Sequence, residues 1–198
     1  MTTIGRNRFP VIALCSSAGG VDATAEILAE LPPEFPGALI VAQHRSPEGR
    51  SRLPEVLGRR TALVVQRAHD RDVLSPGHVS VVPEAKHMVV GPDDRIRLID
   101  VDGLPPARPS ADLLLSTMAV TLGSRAIAVV LTGAGHDGAI GAQAITAFDG
   151  RVLVQDAESA ESRGMPSSVI LLDRPEAALS PAAIAKWLLE TICAGTAP

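Results

Sequence analysis

Aromatic side chains are nearly missing from this chain. Of 198 residues three are phenylalanine, one is tryptophan and none is tyrosine, so the core has to be built from Val, Ile, Leu and Ala. Cysteine is almost as scarce: Cys15 and Cys193 are too few for a disulfide framework or a four-thiolate metal site, and both read as reduced thiols. A strong positive charge is also lacking. The net charge of -4 opposes duplex-DNA binding, which draws on a strongly basic face, and no nucleic-acid partner is expected. No apolar run reaches the ~20 residues of a membrane span, and Met1 to Arg8 has no apolar core of the kind a secretory signal needs. The expectation is a cytoplasmic protein without membrane insertion.

What is present is ordinary globular material, 46% hydrophobic and 20% charged. The length suits one domain spanning 1–198. Apolar runs at Phe9 to Leu14, Ala38 to Ala42, Ala62 to Gln66, Ala126 to Leu131 and Arg151 to Gln155 read as buried strands. Between them lie helical stretches: Asp22 to Leu31, about Arg52 to Arg60, Ser110 to about Leu122, Ala139 to Phe148, a short one after Pro166, and a last one opened by Ser180-Pro181 and ending near Ile192. From His78 to Val101 the texture changes to short alternating runs broken by Pro83, Gly91-Pro92 and Asp93-Asp94, which predicts antiparallel strands at the sheet's edge. The class is α/β: a doubly wound, mostly parallel sheet flanked by helices, with an antiparallel hairpin insertion at the edge.

Three polar stretches directly follow apolar strands: Ser16-Ser17-Ala18-Gly19-Gly20, Gln43-His44, and Thr132-Gly133-Ala134-Gly135-His136-Asp137-Gly138. Parallel α/β sheets bind ligands beyond the carboxyl ends of their strands, so Ser17, His44 and Asp137 belong on one rim. A hydroxyl to attack a carbonyl, an imidazole to move its proton and a carboxylate to orient the imidazole are the parts of a serine hydrolase. The order Ser, His, Asp differs from that of α/β-hydrolases, and Cys15 stands where a G-x-S-x-G elbow needs Gly.

These residues resemble the catalytic domain of the chemotaxis protein-glutamate methylesterases, the CheB-type family, over Val11 to about Leu189. The landmarks are Ser-Ser-Ala-Gly-Gly at 16–20, Val-Ala-Gln-His at 41–44, Leu-Ser-Pro-Gly-His-Val at 74–79, Arg-Pro-Ser-Ala-Asp at 108–112, Leu-Thr-Gly-Ala-Gly-His-Asp-Gly at 131–138, and Gln-Asp then Gly-Met-Pro at 155–156 and 164–166. The resemblance implies Ser17 as nucleophile, since it stands two residues before the Gly-Gly pair, with His44 as general base and Asp137 as orienting acid. It implies hydrolysis of glutamate γ-methyl esters on the cytoplasmic helices of methylated chemoreceptors, with glutamine deamidation as the related reaction.

The chain departs from the family pattern at several positions. Ala18 and Ala134 stand where Thr and Met are frequent, so only backbone N–H groups of these loops remain to support an oxyanion. His136 replaces a frequent acidic residue, and an aromatic usual near Gly49 is missing. About ten residues precede the first strand, so the expectation is a catalytic domain without the receiver domain many members carry and without phosphorylation control in cis. Arg45, Arg50, Arg52, Arg59 and Arg60 form a local basic segment beside His44, suited either to guiding an acidic substrate or to a plain solvated helix face.

Other chemistries find less support. Cys15 reads as buried packing rather than a thiol nucleophile. His69, His78 and His87 lack metal-ligand spacing, and Gly19-Gly20 lacks the other glycines of a dinucleotide loop; no metal or cofactor is expected. Two alternatives stay open: an esterase or amidase of this fold with a non-chemotactic substrate, and a catalytically silent regulatory module. The sequence sets no oligomeric state.

Overall fold

The computed structural model describes residues 9–45, 51–100 and 109–193. Its first strand, β1 (Val11–Ser16), is buried along its whole length, as expected of a run with no charged residue at the centre of a sheet covered on both faces. Parallel to it lie β2 (Ala38–Gln43) on one side and β7 (Ala126–Val130) on the other. Outward from β2 come β4 (His78–Val81) and β3 (Val64–Arg67), and outward from β7 come β8 (Arg151–Gln155) and β9 (Ala177–Leu179). The order is β3-β4-β2-β1-β7-β8-β9, and every pairing in this sheet is parallel.

Alternation along the strands feeds two apolar layers. Ile12 and Leu14 pack with α1 (Gly20–Ala29), α2 (Leu53–Gly58) and α6 (Pro181–Leu188) through Ile27, Leu57 and Ile184. Val11, Ala13 and Cys15 face α3 (Ala111–Leu122), α4 (Ala139–Ala147) and α5 (Gly164–Leu172), meeting Leu115, Ile145 and Val169. Truncating a fully buried member such as Leu14 to Ala is expected to cost about 2–5 kcal/mol. Phe35 is the only one of the chain's few aromatic side chains that is fully buried among the described residues.

The expected doubly wound sheet is present, and two local expectations change. His78–Val81 is not part of an antiparallel hairpin; it pairs parallel with both β2 and β3. Its Val79 and Val81 alternate in sequence, but Ser80 between them is buried as well, so the alternation does not mark a solvent face. The antiparallel element is the hairpin of β5 (Lys86–Val90) and β6 (Ile96–Asp100), which forms its own two-stranded sheet. It is fastened to α3 by Thr121 Oγ1 donating to the Val90 carbonyl at 2.9 Å. Strand β9 gave no sequence signal, because Ala-Ala-Leu has low strand propensity; it pairs with β8, and Ala177 and Leu179 pack against the core.

Candidate active site

The strand order reverses at β1, with early strands on one side and late strands on the other. Ligands in such sheets sit outside the carboxyl ends at that reversal. Ser17 follows β1, His44 follows β2, and Asp137 lies in the loop between β7 and α4, so all three reach this rim.

Neighbouring serines have different fates there. Ser16 is fully buried and its hydroxyl donates to Gln43 Oε1 at 2.7 Å. A side chain on Gly20 would collide with it at 2.4 Å. Ser17 is partly exposed, and its Oγ has no hydrogen-bond partner among the described residues. Its backbone is fixed instead: its N–H donates to the Thr132 carbonyl at 3.0 Å, and its carbonyl accepts from Gln43 Nε2 at 2.6 Å. Gln43 Nε2 also donates to the His44 carbonyl at 3.1 Å, and the His44 N–H donates to the Ser16 carbonyl at 2.8 Å. One side chain thus ties the serine loop to the histidine loop.

The third loop closes over Ser17 because Gly133 has no side chain. A Cβ there would lie 2.7 Å from Ser17 Cβ and 2.3 Å from Met165 Sδ. Thr132 Oγ1 donates to the Ala18 carbonyl at 2.9 Å and accepts from the Ser162 N–H at 2.9 Å, adding the segment before α5 to the same assembly.

His44 Nε2 meets Asp137 Oδ2 at 2.7 Å. Asp137 is in turn seated on the amino end of α3, where four N–H groups lack intrahelical partners. Its Oδ2 accepts from the Ala111 N–H at 2.6 Å, and its Oδ1 accepts from the Asp112 N–H at 3.0 Å and from the Ser110 hydroxyl at 3.3 Å. Burial by itself would raise this carboxyl. The hydrogen bonds from His44 and from the backbone of Asp112 and Ala111, with the histidine charge, outweigh it and hold Asp137 below the ordinary value. An ionised carboxylate therefore orients the imidazole through Nε2, and Nδ1 has no hydrogen-bond partner among the described residues.

The N–H groups of Ala18 and Ala134 donate to no acceptor among the described residues, while those of Ser17 and Gly133 are used. Beside His44 opens a cleft of about 350 Å³, lined by Val21, Arg45, Arg52, Leu53 and Val56 among others. Its lining is mainly apolar, with the exposed Arg52 beside it.

Cys15 is fully buried, and burial, with the charges of Asp137 and Asp112, pushes its thiol far above the ordinary value, so it stays protonated. Of the basic segment, Arg45 turns inward and donates to the Val82 carbonyl, and Arg60 pairs with Asp22 at 2.7 Å. Arg52 and Arg59 are exposed. Arg50 and Gly49 lie outside the described residues. Exposed His136 flanks Asp137 on the loop, and His87 is buried, with Nδ1 accepting from the Ser110 N–H at 3.0 Å.

Sequence reasoning missed the supporting residues Gln43, Ser110 and Thr132. Each lay inside a quoted landmark, but its partner is distant in sequence. Among the described residues, no helix is long and apolar enough to cross a membrane.

Residues 12–188 match the family described as CheB methylesterase. The chain is 36% identical over 164 residues to the protein-glutamate methylesterase FrzG of Myxococcus xanthus, covering 83% of this chain and 49% of that protein. It is also 36% identical over 160 residues to a protein-glutamate methylesterase/protein-glutamine glutaminase of Saccharophagus degradans, covering 80% of this chain and 44% of that one. The chain spans about half the length of these curated relatives. Its fold superimposes on the crystal structure of the Thermotoga maritima CheB methylesterase catalytic domain with a TM-score of 0.87 and 31% identity, covering 92% of this chain and 98% of the other.

Proposed function

This chain belongs to the CheB methylesterase family, and we propose that it hydrolyses glutamate γ-methyl esters on the cytoplasmic helices of chemoreceptors, with glutamine deamidation as a second outcome of the same acyl transfer. The observation that carries this reading is the His44–Asp137 contact of 2.7 Å on a carboxylate seated at a helix amino end, on the rim where Ser17 keeps an uncommitted hydroxyl.

In the first half-reaction Ser17 Oγ attacks the γ-carbonyl carbon while His44 Nδ1 takes the hydroxyl proton. The oxyanion that forms is met by the N–H groups of Ala18 and Ala134, a contribution of about 2.7–4 kcal/mol per donor in related chemistry. Collapse breaks the ester C–O bond, and His44 returns its proton to the departing methanol, or to ammonia from a glutamine. Water then attacks the acyl-serine with His44 as base, releasing glutamate and restoring Ser17. Asp137 stays ionised throughout and stabilises the imidazolium.

The receptor helix is the proposed partner and the cytoplasm the proposed location. The test is methanol release from a methyl-esterified receptor fragment by the wild type and by Ser17→Ala. Release by the wild type alone supports the reading. No release by either sinks the methylesterase assignment, and equal release by both sinks the serine. Activity on small esters or amides without release from the receptor fragment would favour a non-chemotactic substrate.

A further inference from the structure

We infer that Asp112 is a positioning residue for the proposed triad: it holds the loop that carries Asp137 by capping α4 from the neighbouring helix α3. The inference rests on the Ser17–His44–Asp137 reading and adds a residue to it.

Helix α4 starts without a cap of its own. Its N-cap position is Gly138, at φ 99°, which has no side chain to accept from the first-turn N–H groups. Asp112 Oδ1 fills this role from outside, accepting from the Gly138 N–H at 2.9 Å and from the Gly141 N–H at 2.8 Å. The exchange is reciprocal, since Asp137, just before α4, accepts from the Ala111 and Asp112 N–H groups at the start of α3. Each helix start thus has two of its N–H groups taken by a carboxylate belonging to the other's amino end.

The peptide unit gripped by Asp112 is the one that leaves Asp137, because the Gly138 nitrogen is bonded directly to the Asp137 carbonyl carbon. The close approach depends on Gly141, where a Cβ would sit 2.6 Å from Leu115 Cβ and 3.1 Å from both Asp112 Cα and its carbonyl oxygen. At Gly138 a Cβ would make only ordinary contact, 3.4 Å from Ala111 Cβ, and the positive φ of 99° is what favours glycine there. Two half-buried carboxylates side by side would repel, and burial, with the charge of Asp137, does raise the Asp112 carboxyl against the opposing pull of the Gly141 and Gly138 N–H groups. That arrangement is costly for a site that only needs a helix start. It is explained if the orientation of Asp137 toward His44 depends on it, because small misplacements of reacting groups cost rate out of proportion.

The experiment compares Asp112→Ala, Asp112→Ser and Asp112→Asn in the full chain with the methyl-esterified receptor fragment. Asn keeps an acceptor oxygen at the right reach, Ser keeps one too short to bridge both N–H groups, and Ala keeps none. Expected is a fall in kcat of about tenfold to a hundredfold for Ala, with KM within about twofold, an intermediate loss for Ser, and recovery of most of kcat in Asn. The downfield proton resonance of the His44–Asp137 hydrogen bond should broaden or vanish in Ala and persist in Asn. A folded Asp112→Ala enzyme with wild-type kcat and resonance overturns the inference. If that variant does not fold, wild-type values in Asp112→Ser overturn it equally. Asp137→Asn is measured alongside: if it keeps wild-type kcat, the triad reading fails and the role of Asp112 with it. If it is impaired while Asp112→Ala is not, only the role of Asp112 fails.

Discussion

A well-shielded contact between a basic group and a carboxylate stands at each rim of the sheet, and these two look alike. At the amino ends Arg125 Nη2 meets Asp94 Oδ1 at 2.8 Å, with both side chains 14% exposed. At the carboxyl ends His44 meets Asp137 at 2.7 Å, with exposures of 14% and 11%. Distance and burial do not tell a structural pair from a chemical one. The partners do. Arg125 is permanently charged, grips both oxygens of Asp94 and donates to the Phe9 carbonyl, so it fastens the hairpin turn to the start of β1 and has no proton to exchange. His44 uses Nε2 on Asp137 and keeps Nδ1, and Gln43 ties its loop to that of Ser17, whose hydroxyl has no partner among the described residues.

The largest effect should come from His44→Ala. Loss of the proposed base is expected to lower kcat by about 10³-fold or more while the Tm stays close to that of the wild type, as read by steady-state methanol release and thermal denaturation. Arg125→Ala should do the reverse. Leaving Asp94 shielded and unpaired costs about 3 kcal/mol of stability by denaturant unfolding, with kcat/KM of the folded fraction unchanged. If either variant moved both quantities strongly, the distinction between the rims would fail.

A smaller effect separates the carboxylates by pH. Asp137 is held below its ordinary value, so the stability it contributes is complete above pH 3.8 and is lost as pH falls from there through its lower folded value. Glu84 behaves alike over a wider window. Burial would raise its carboxyl, but the hydrogen bond and charge of Arg67 and its backbone contacts bring it from 4.5 to about 2, so its contribution is lost between those two values. Unfolding free energy measured from pH 5 down to pH 2 should therefore fall less steeply in Asp137→Asn and in Glu84→Gln than in the wild type. Parallel slopes would contradict the assignment.

Much of this was legible in the residues. Phe9 to Leu14, Ala38 to Ala42 and Ala126 to Leu131 are apolar runs too short for helices, and the rule for ligand sites in parallel sheets then puts Ser17, His44 and Asp137 on one rim. Strand β4 was hidden because Ser80 is buried between two valines, which makes a two-sided strand look one-sided. Strand β9 was hidden because its three residues have little preference of their own. The supports of the site were hidden for a different reason: Gln43 reaches back to Ser17, and Asp137 reaches back to Ala111 and Asp112. Those contacts are made when strands pair and helix ends meet, and no local pattern announces them. The choice of Ser17 over Ser16 came from resemblance, and its physical basis is that Ser16 is buried and bonded to Gln43.

The central claim is that Ser17 is the nucleophile and that the carboxyl-rim pair activates it. A fluorophosphonate probe that reacts only with activated serines, followed by peptide mass spectrometry, tests this directly. Phosphonylation is expected at Ser17 in the wild type and is expected to be lost in His44→Ala. Modification at Ser16, or undiminished modification of Ser17 in His44→Ala, would contradict it.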